Sequence, residues 1–183
     1  RSEITAQMVY NFVKGGAGIN ALARQAGAEV SVVDMGCSED LSGLVKEGKI
    51  ISKKIAAGTE NMALGPAMTR TQAVMAVEAG IEVANHLAPE VDIFATGDMG
   101  IGNTTASTAI IAALTDNNLD RLTGRGTGLD DEELEHKKEI LARALHINKP
   151  DAEDGLDVLA KVGGFEIGAI AGGIIAGLIF VDP

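Results

Sequence analysis

The chain has 183 residues, 46% hydrophobic but only 3% aromatic, with 23 glycines; this suits a single domain whose core is packed by Ala, Ile, Val and Leu rather than by rings. Fifteen basic against 26 acidic residues give a net charge of -11, which argues against an extended nucleic-acid surface and leaves room for a local phosphate pocket. The lone Cys37 excludes an internal disulfide, no Cys/His cluster reads as a metal site, and the cytosol is the default compartment.

From Thr5, "TAQMVYNFVKGG" predicts a helix with Thr5 as N-cap and Met8, Val9, Phe12 and Val13 on one face. "AGINALARQAG" predicts a second helix, closed by Gly27. "EVSVVDMG" reads as a short strand with Asp34 at its carboxyl end, and a further strand is expected around Ile50 and Ile51. "GTENMALGPAM" is loop. Thr69 and Gln72 form a capping-box pair that opens a helix with Val74, Val77, Ile81 and Ala84 on its buried side. "VDIFATG" predicts the next strand and "TTASTAIIAAL" a helix of small residues. After the glycine loop "TGRGTGLDD" comes a helix from about Asp131 to His146, then a short one near Gly155 to Lys161.

The last run, "VGGFEIGAIAGGIIAGLIFV", has the length of a membrane span and carries G-x-x-x-G spacings. No basic residue flanks its carboxyl side, so the favoured reading is a small-residue helix to about Gly177 followed by the strand "LIFVD". Strands alternating with helices predict an α/β fold with a mostly parallel sheet, whose ligands bind beyond the carboxyl ends of the strands.

Two glycine loops stand out. In "ATGDMGIGNTTAS", Gly97, Gly100 and Gly102 free the backbone just before a helix whose first turn holds Thr104 and Thr105. Unpaired N–H groups and the helix dipole favour an anion there. The plain alternative is a tight turn that only allows packing. Neither a Walker-type loop nor a dinucleotide fingerprint is present, since the Gly16-x-Gly18-x-x-Ala21 match follows a helix. In the second loop, Gly124, Gly126 and Gly128 precede a helix capped by Asp130 and Glu133. Its apolar stripe, Leu134, Leu141, Ala144 and Leu145, is interrupted by Lys137 and Lys138. Either both lysines snorkel to water, or one points into a polar pocket that takes an anion; the second reading is favoured.

Together, "TAQMVYNFVKGGAGINALARQ", "GDMGIGNTTAS", "GRGTGLDDEELEHKK" and "LDVLAKVGGFEIGAIAG" resemble the nicotinate-nucleotide:dimethylbenzimidazole phosphoribosyltransferase family, in order and through nearly the whole chain. The resemblance implies a Rossmann-like three-layer α/β/α core with a small helical domain largely missing. It further implies transfer of the ribose 5-phosphate of nicotinate mononucleotide to a benzimidazole, giving the lower-ligand nucleotide of cobalamin, without a metal or other cofactor. By the same resemblance, phosphate contacts fall on Gly100, Gly102, Asn103, Thr104, Gly126 and Lys137. Asp98, where the family commonly has Glu, becomes a ribose-facing or charge-stabilising acid, and Gln7 a residue near the base.

The family's general-base glutamate lies past the position of Pro183, so no catalytic base is assigned here. Glu166 is read as a capping or packing residue, Asp34 as loop-stabilising or site-lining, and His86, His136 and His146 as surface or helix-end residues. The expectation is therefore one α/β core, residues 1–183, forming part of a longer enzyme. It would bind the nucleotide, turn over weakly or not at all alone, form a homodimer in the cytoplasm, and engage neither nucleic acid nor membrane. The competing expectation is a non-catalytic phosphate-binding or nucleotide-binding α/β module.

Overall fold

In the computed structural model, which describes residues 2–115, 118–125, 128 and 130–179, the chain divides into two compact units, Arg1–Gly58 and Thr59–Pro183.

The first unit holds α1 (Ser2–Val13), α2 (Gly18–Ala26), β1 (Val33–Asp34), α3 (Ser42–Lys46) and β2 (Ile51–Ser52). Helix α1 begins upstream of the expected Thr5 cap. Nothing in "SEI" breaks a helix, and Glu3 in the first turn complements the dipole, so Thr5 lies inside the helix. Asn20 secures the turn into α2 by donating to the Phe12 carbonyl and accepting from the Ala17 amide, both at 3.1 Å. Gly27 ends α2 as expected, at φ 70°, in the left-handed region a glycine adopts without strain. The two strands pair in parallel, Val33 opposite Ile51 and Asp34 opposite Ser52. A parallel pair needs a crossover, and α3, which sequence periodicity did not reveal, lies within it. Val9, Leu41, Leu44 and Ile50 form the core of this unit.

The second unit holds α4 (Arg70–Leu87), a 3-10 turn (Ala88–Glu90), α5 (Thr104–Thr115), α6 (Leu119–Leu122), α7 (Asp131–Asn148), α8 (Gly155–Val162) and α9 (Phe165–Ile179). Both expected capping boxes form. Thr69 Oγ1 accepts from the Gln72 amide at 3.2 Å while Gln72 Oε1 accepts from the Thr69 amide at 2.9 Å. Asp130 and Glu133 reciprocate at 2.8 and 3.1 Å. The loop before α4 is pinned to α8, where the Ala67 and Met68 amides donate to the Lys161 and Ala160 carbonyls. Ala109, Leu141, Val158 and Val162 are the centre of this unit's core.

The glycines of α9 meet helix α4 rather than a sheet. A Cβ on Gly80 would overlap the Ala169 carbonyl oxygen, and one on Gly172 would overlap that of Val77. Small residues thus let two helix backbones touch, which is the use of the apolar run that a membrane reading had competed for. Among the described residues, no helix is long and apolar enough to cross a membrane.

Two expected strands do not appear. "VDIFATG" is irregular and exposed, with Ile93 87% accessible, and it pairs with no strand among the described residues. Its β-branched pattern suits a pleated surface, but a strand requires a neighbouring edge to bond to. Its anchor is instead Phe94, whose Cε1 lies 3.3 Å from where a Cβ on Gly173 of α9 would stand. Likewise, Leu178 and Ile179 of "LIFVD" complete α9, and the rest of that segment lies outside the described residues. The α/β class holds, with the parallel pair of the first unit as the sheet among the described residues.

Candidate active site

The candidate residues of the second unit converge on the start of α5. Asn103 accepts the first helical bond of α5 through its carbonyl, from the Ser107 amide at 3.0 Å. Its side chain, which in an ordinary N-cap would turn onto the helix amides, instead donates from Nδ2 to Asp98 Oδ2. Among the described residues, no acceptor meets the amides of Thr104, Thr105 and Ala106. The positive end of α5 is thus left open. Gly100 and Gly102 shape the preceding turn, and Gly102 sits at φ 95°, where a side chain would be strained.

Lys137 comes from the middle of α7 and is 8% exposed. Its Nζ donates to Thr104 Oγ1 at 3.1 Å and to the Gly124 carbonyl at 3.3 Å. Both acceptors are neutral, and among the described residues no carboxylate pairs with this ammonium. Burial lowers its pKa from the ordinary lysine value. Three N–H donors face two neutral oxygens, so the site has a cation and a donor to offer an anion. Lys138, one residue on, does the opposite: it reaches Glu135 at 2.7 Å and Asp120 at 3.0 Å. The interrupted stripe on α7 is therefore resolved as one inward lysine and one ordinary ion-paired one.

Glu166, read from sequence as a cap or packing residue, joins this group. It stands in the first turn of α9, and its carboxylate lies over Gly164, where a Cβ would come within 2.5 Å of Oε1. Burial pushes its pKa up, its own backbone N–H works the other way, and the charge of Asp98 adds to the upward shift. A hydrogen bond from Asn103 opposes it. Asn103 is thus held by Asp98 from its own loop, and both residues are among the groups that act on the Glu166 carboxyl from a distant stretch of chain. No local pattern in the sequence links residues so far apart; the only signal was an acid in an otherwise apolar run.

Gln7 is an exposed residue of α1 in the first unit, and Gly126 lies outside the described residues. Asp34 is buried and stabilises its loop, accepting from the amides of Gly36 and Cys37 at 2.9 and 2.7 Å. His86, His136 and His146 are exposed. Among the described residues, no group of acids, cysteines and histidines is placed to hold a metal.

A family model described as Phosphoribosyltransferase matches residues 1–179. The chain belongs to this family. A relative from Syntrophotalea carbinolica, named nicotinate-nucleotide–dimethylbenzimidazole phosphoribosyltransferase, is 59% identical over 181 residues, covering 99% of this chain and 51% of its own length. A relative of the same name from Desulforudis audaxviator is 61% identical over 175 residues, covering 95% of this chain and 49% of its own. The crystal structure of CobT from Thermus thermophilus superposes with a TM-score of 0.88 at 42% identity, over 98% of this chain and 53% of that one. The phosphoribosyltransferase-family chain thus spans about half the length of the relatives it matches. Its matched region contains both glycine loops, Lys137 and Glu166.

Proposed function

We propose that the chain is the nucleotide-binding core of a nicotinate-nucleotide:dimethylbenzimidazole phosphoribosyltransferase, with the 5′-phosphate of nicotinate mononucleotide seated between Lys137 and the open end of α5. One observation carries the reading. Lys137 is buried without a carboxylate partner, 3.1 Å from the side chain of the first residue of α5. A phosphate there would accept from the lysine and from the free amides of Thr104 and Thr105, and would offset the desolvation that burial imposes on the ammonium.

In the reaction, the ring nitrogen of the benzimidazole attacks the ribose anomeric carbon, and the bond to the pyridinium nitrogen breaks. The electron pair returns to that nitrogen, so nicotinate leaves as a neutral ring without acid assistance. The benzimidazole N–H proton must go to a base, and none is assigned among residues 1–183. This chain's contribution is to fix the phosphate and to face the positive charge that grows on the ribose with Asp98. The turn of Gly100, Gly102, Asn103 and Thr104, together with Gly126, forms the cradle of this reading, and Gln7 its base-side residue. The reading also includes a cytoplasmic homodimer without a nucleic-acid or membrane partner, and one α/β core over residues 1–183 that forms part of a longer enzyme.

The test is calorimetric titration with nicotinate mononucleotide and, as the phosphate-free control, nicotinate riboside. The mononucleotide binds and the riboside does not. Lys137→Gln weakens the mononucleotide by roughly 10- to 100-fold, the worth of a hydrogen bond to a charged group. Unchanged affinity in that variant would sink the pocket assignment.

A further inference from the structure

A helix that follows an asparagine ordinarily has its end closed by that residue, whose side-chain oxygen accepts from a backbone N–H two or three positions on. Asn103 stands at that position of α5, and its carbonyl accepts the first helical bond from the Ser107 amide at 3.0 Å. Its side chain nevertheless faces the other way. Nδ2 donates to Asp98 Oδ2, and Oδ1 lies over the turn, 3.7 Å from where a Cβ on Gly100 would stand. The neighbouring hydroxyls are engaged as well. Thr104 Oγ1 accepts from Lys137 at 3.1 Å, while Ser107 and Thr108 donate to the Asn103 and Thr104 carbonyls at 3.1 and 2.8 Å. Each of these side chains is thus turned away from the amides at the head of α5.

Asparagine is among the best caps, so an uncapped α5 forgoes stability, and the contact that holds Asn103 off is the one with Asp98. Asp98 is exposed and stands in the loop that leads into the helix. As a carboxylate it only accepts, so it takes the NH2 side of the Asn103 amide. The amide is planar, and its oxygen is carried back onto the Gly100 turn with it. The oxygen that would close the helix is therefore withdrawn by a single hydrogen bond.

From this geometry we infer that Asp98 is a positioning residue of the nucleotide site: by gripping the Asn103 amide it keeps that side chain from capping α5, and the amides of Thr104, Thr105 and Ala106 stay open for an anion beside Lys137. The inference rests on the reading of that site as a phosphate site. It gives Asp98 a task separate from facing the ribose, because here it acts through Asn103 and not on the reacting atoms. Without the carboxylate, Asn103 swings onto its own helix. An incoming phosphate must then displace a cap before it can use the amides.

The test compares the protein with Asp98→Ala and with the double variant Asp98→Ala, Asn103→Ala. Amide hydrogen exchange, read by NMR without ligand, slows at Thr105 or Ala106 in Asp98→Ala by roughly 5-fold, the weight of a side-chain cap. It quickens again in the double variant, which has no cap to offer. Asp98→Asn, which loses the charge but keeps an oxygen that accepts from Asn103 Nδ2, exchanges as the protein does. Calorimetric titration with nicotinate mononucleotide finds Asp98→Ala weaker by roughly the same 5-fold, and the double variant binds more tightly than Asp98→Ala. An acid that merely shaped the loop would give the reverse, with faster exchange in Asp98→Ala and weaker binding still in the double variant. Either result overturns the inference, as does an exchange rate that Asp98→Ala leaves unchanged. Slow exchange in Asp98→Asn overturns it too, since the effect would then belong to the charge and not to the grip. If the mononucleotide fails to bind the protein itself, the phosphate reading falls, while the exchange rates still decide whether Asp98 holds Asn103 off the helix.

Discussion

Lys137 Nζ and Thr104 Oγ1 stand 3.1 Å apart, and they join the middle of α7 to the first residue of α5. The bond holds a buried ammonium against a neutral oxygen, so the desolvation of the charge is not offset by a carboxylate partner. Lys137→Met removes the buried charge and keeps the volume. The two oxygens it leaves belong to exposed residues, Thr104 and Gly124, which water can satisfy. The variant is expected to melt higher, by about 1 kcal/mol of added stability, and to lose nucleotide binding. Chemical denaturation and a binding titration on the same sample check both halves.

The pH dependence of the same residue follows from its lowered pKa, whose cause is burial. The folded chain releases the Lys137 proton before the unfolded chain does, at 10.5 for the ordinary side chain. Between the two values the unfolded state binds more protons, so the contribution of this group to stability rises with pH up to about that point. Urea midpoints for the protein and Lys137→Met, compared from neutral pH upward, should therefore converge. A constant gap would mean that the ammonium is not desolvated.

The crossing of α4 and α9 gives a sharper structural prediction. Gly80 faces the Ala169 carbonyl and Gly172 that of Val77, with no room for a methyl group at either. Gly80→Ala or Gly172→Ala must push the two backbones apart, a loss of about 1–3 kcal/mol. Gly177 lies in the same helix but a Cβ there meets nothing within 4 Å. Gly177→Ala should instead raise stability by about 0.5–1 kcal/mol, since alanine loses less backbone freedom on folding. Thermal melts of the three variants separate close approach from helix propensity.

What could be read from the sequence was local. Thr69 with Gln72, Asp130 with Glu133, and Gly27 each signal a helix end within a few residues, and each stands as expected. The interrupted stripe on α7 likewise marked Lys137, because a lysine at a core position needs a reason. Failure came where the outcome depended on distant chain. "VDIFATG" has the residue types of a strand, but Ile93 is exposed and the segment is fastened by Phe94 over a glycine of α9. The α9 glycines signalled close packing without saying on what. Glu166 was legible as a residue packed at the start of α9, but the influence of Asp98 and Asn103 on its carboxyl arrives through the tertiary fold and leaves no periodic trace.

A further prediction concerns acid and base stability at Glu166, apart from any ligand. Burial foremost, and the neighbouring Asp98 charge, raise its pKa above the ordinary 4.5. Here the folded state binds more protons than the unfolded one between those two values, so stability falls as pH rises through the window. Glu166→Gln removes the titrating group while keeping an amide that can still meet Asn103. The variant should therefore gain on the protein as pH climbs from about 4.5, and the gain should level off once the folded carboxyl is fully ionised. Asp98→Asn should shrink that gain, because it removes the charge that helps to raise the Glu166 pKa. Denaturation midpoints of the protein, the two single variants and the double variant form a cycle whose coupling grows with pH. A coupling that stays flat across the titration would show that the two carboxylates do not share a field.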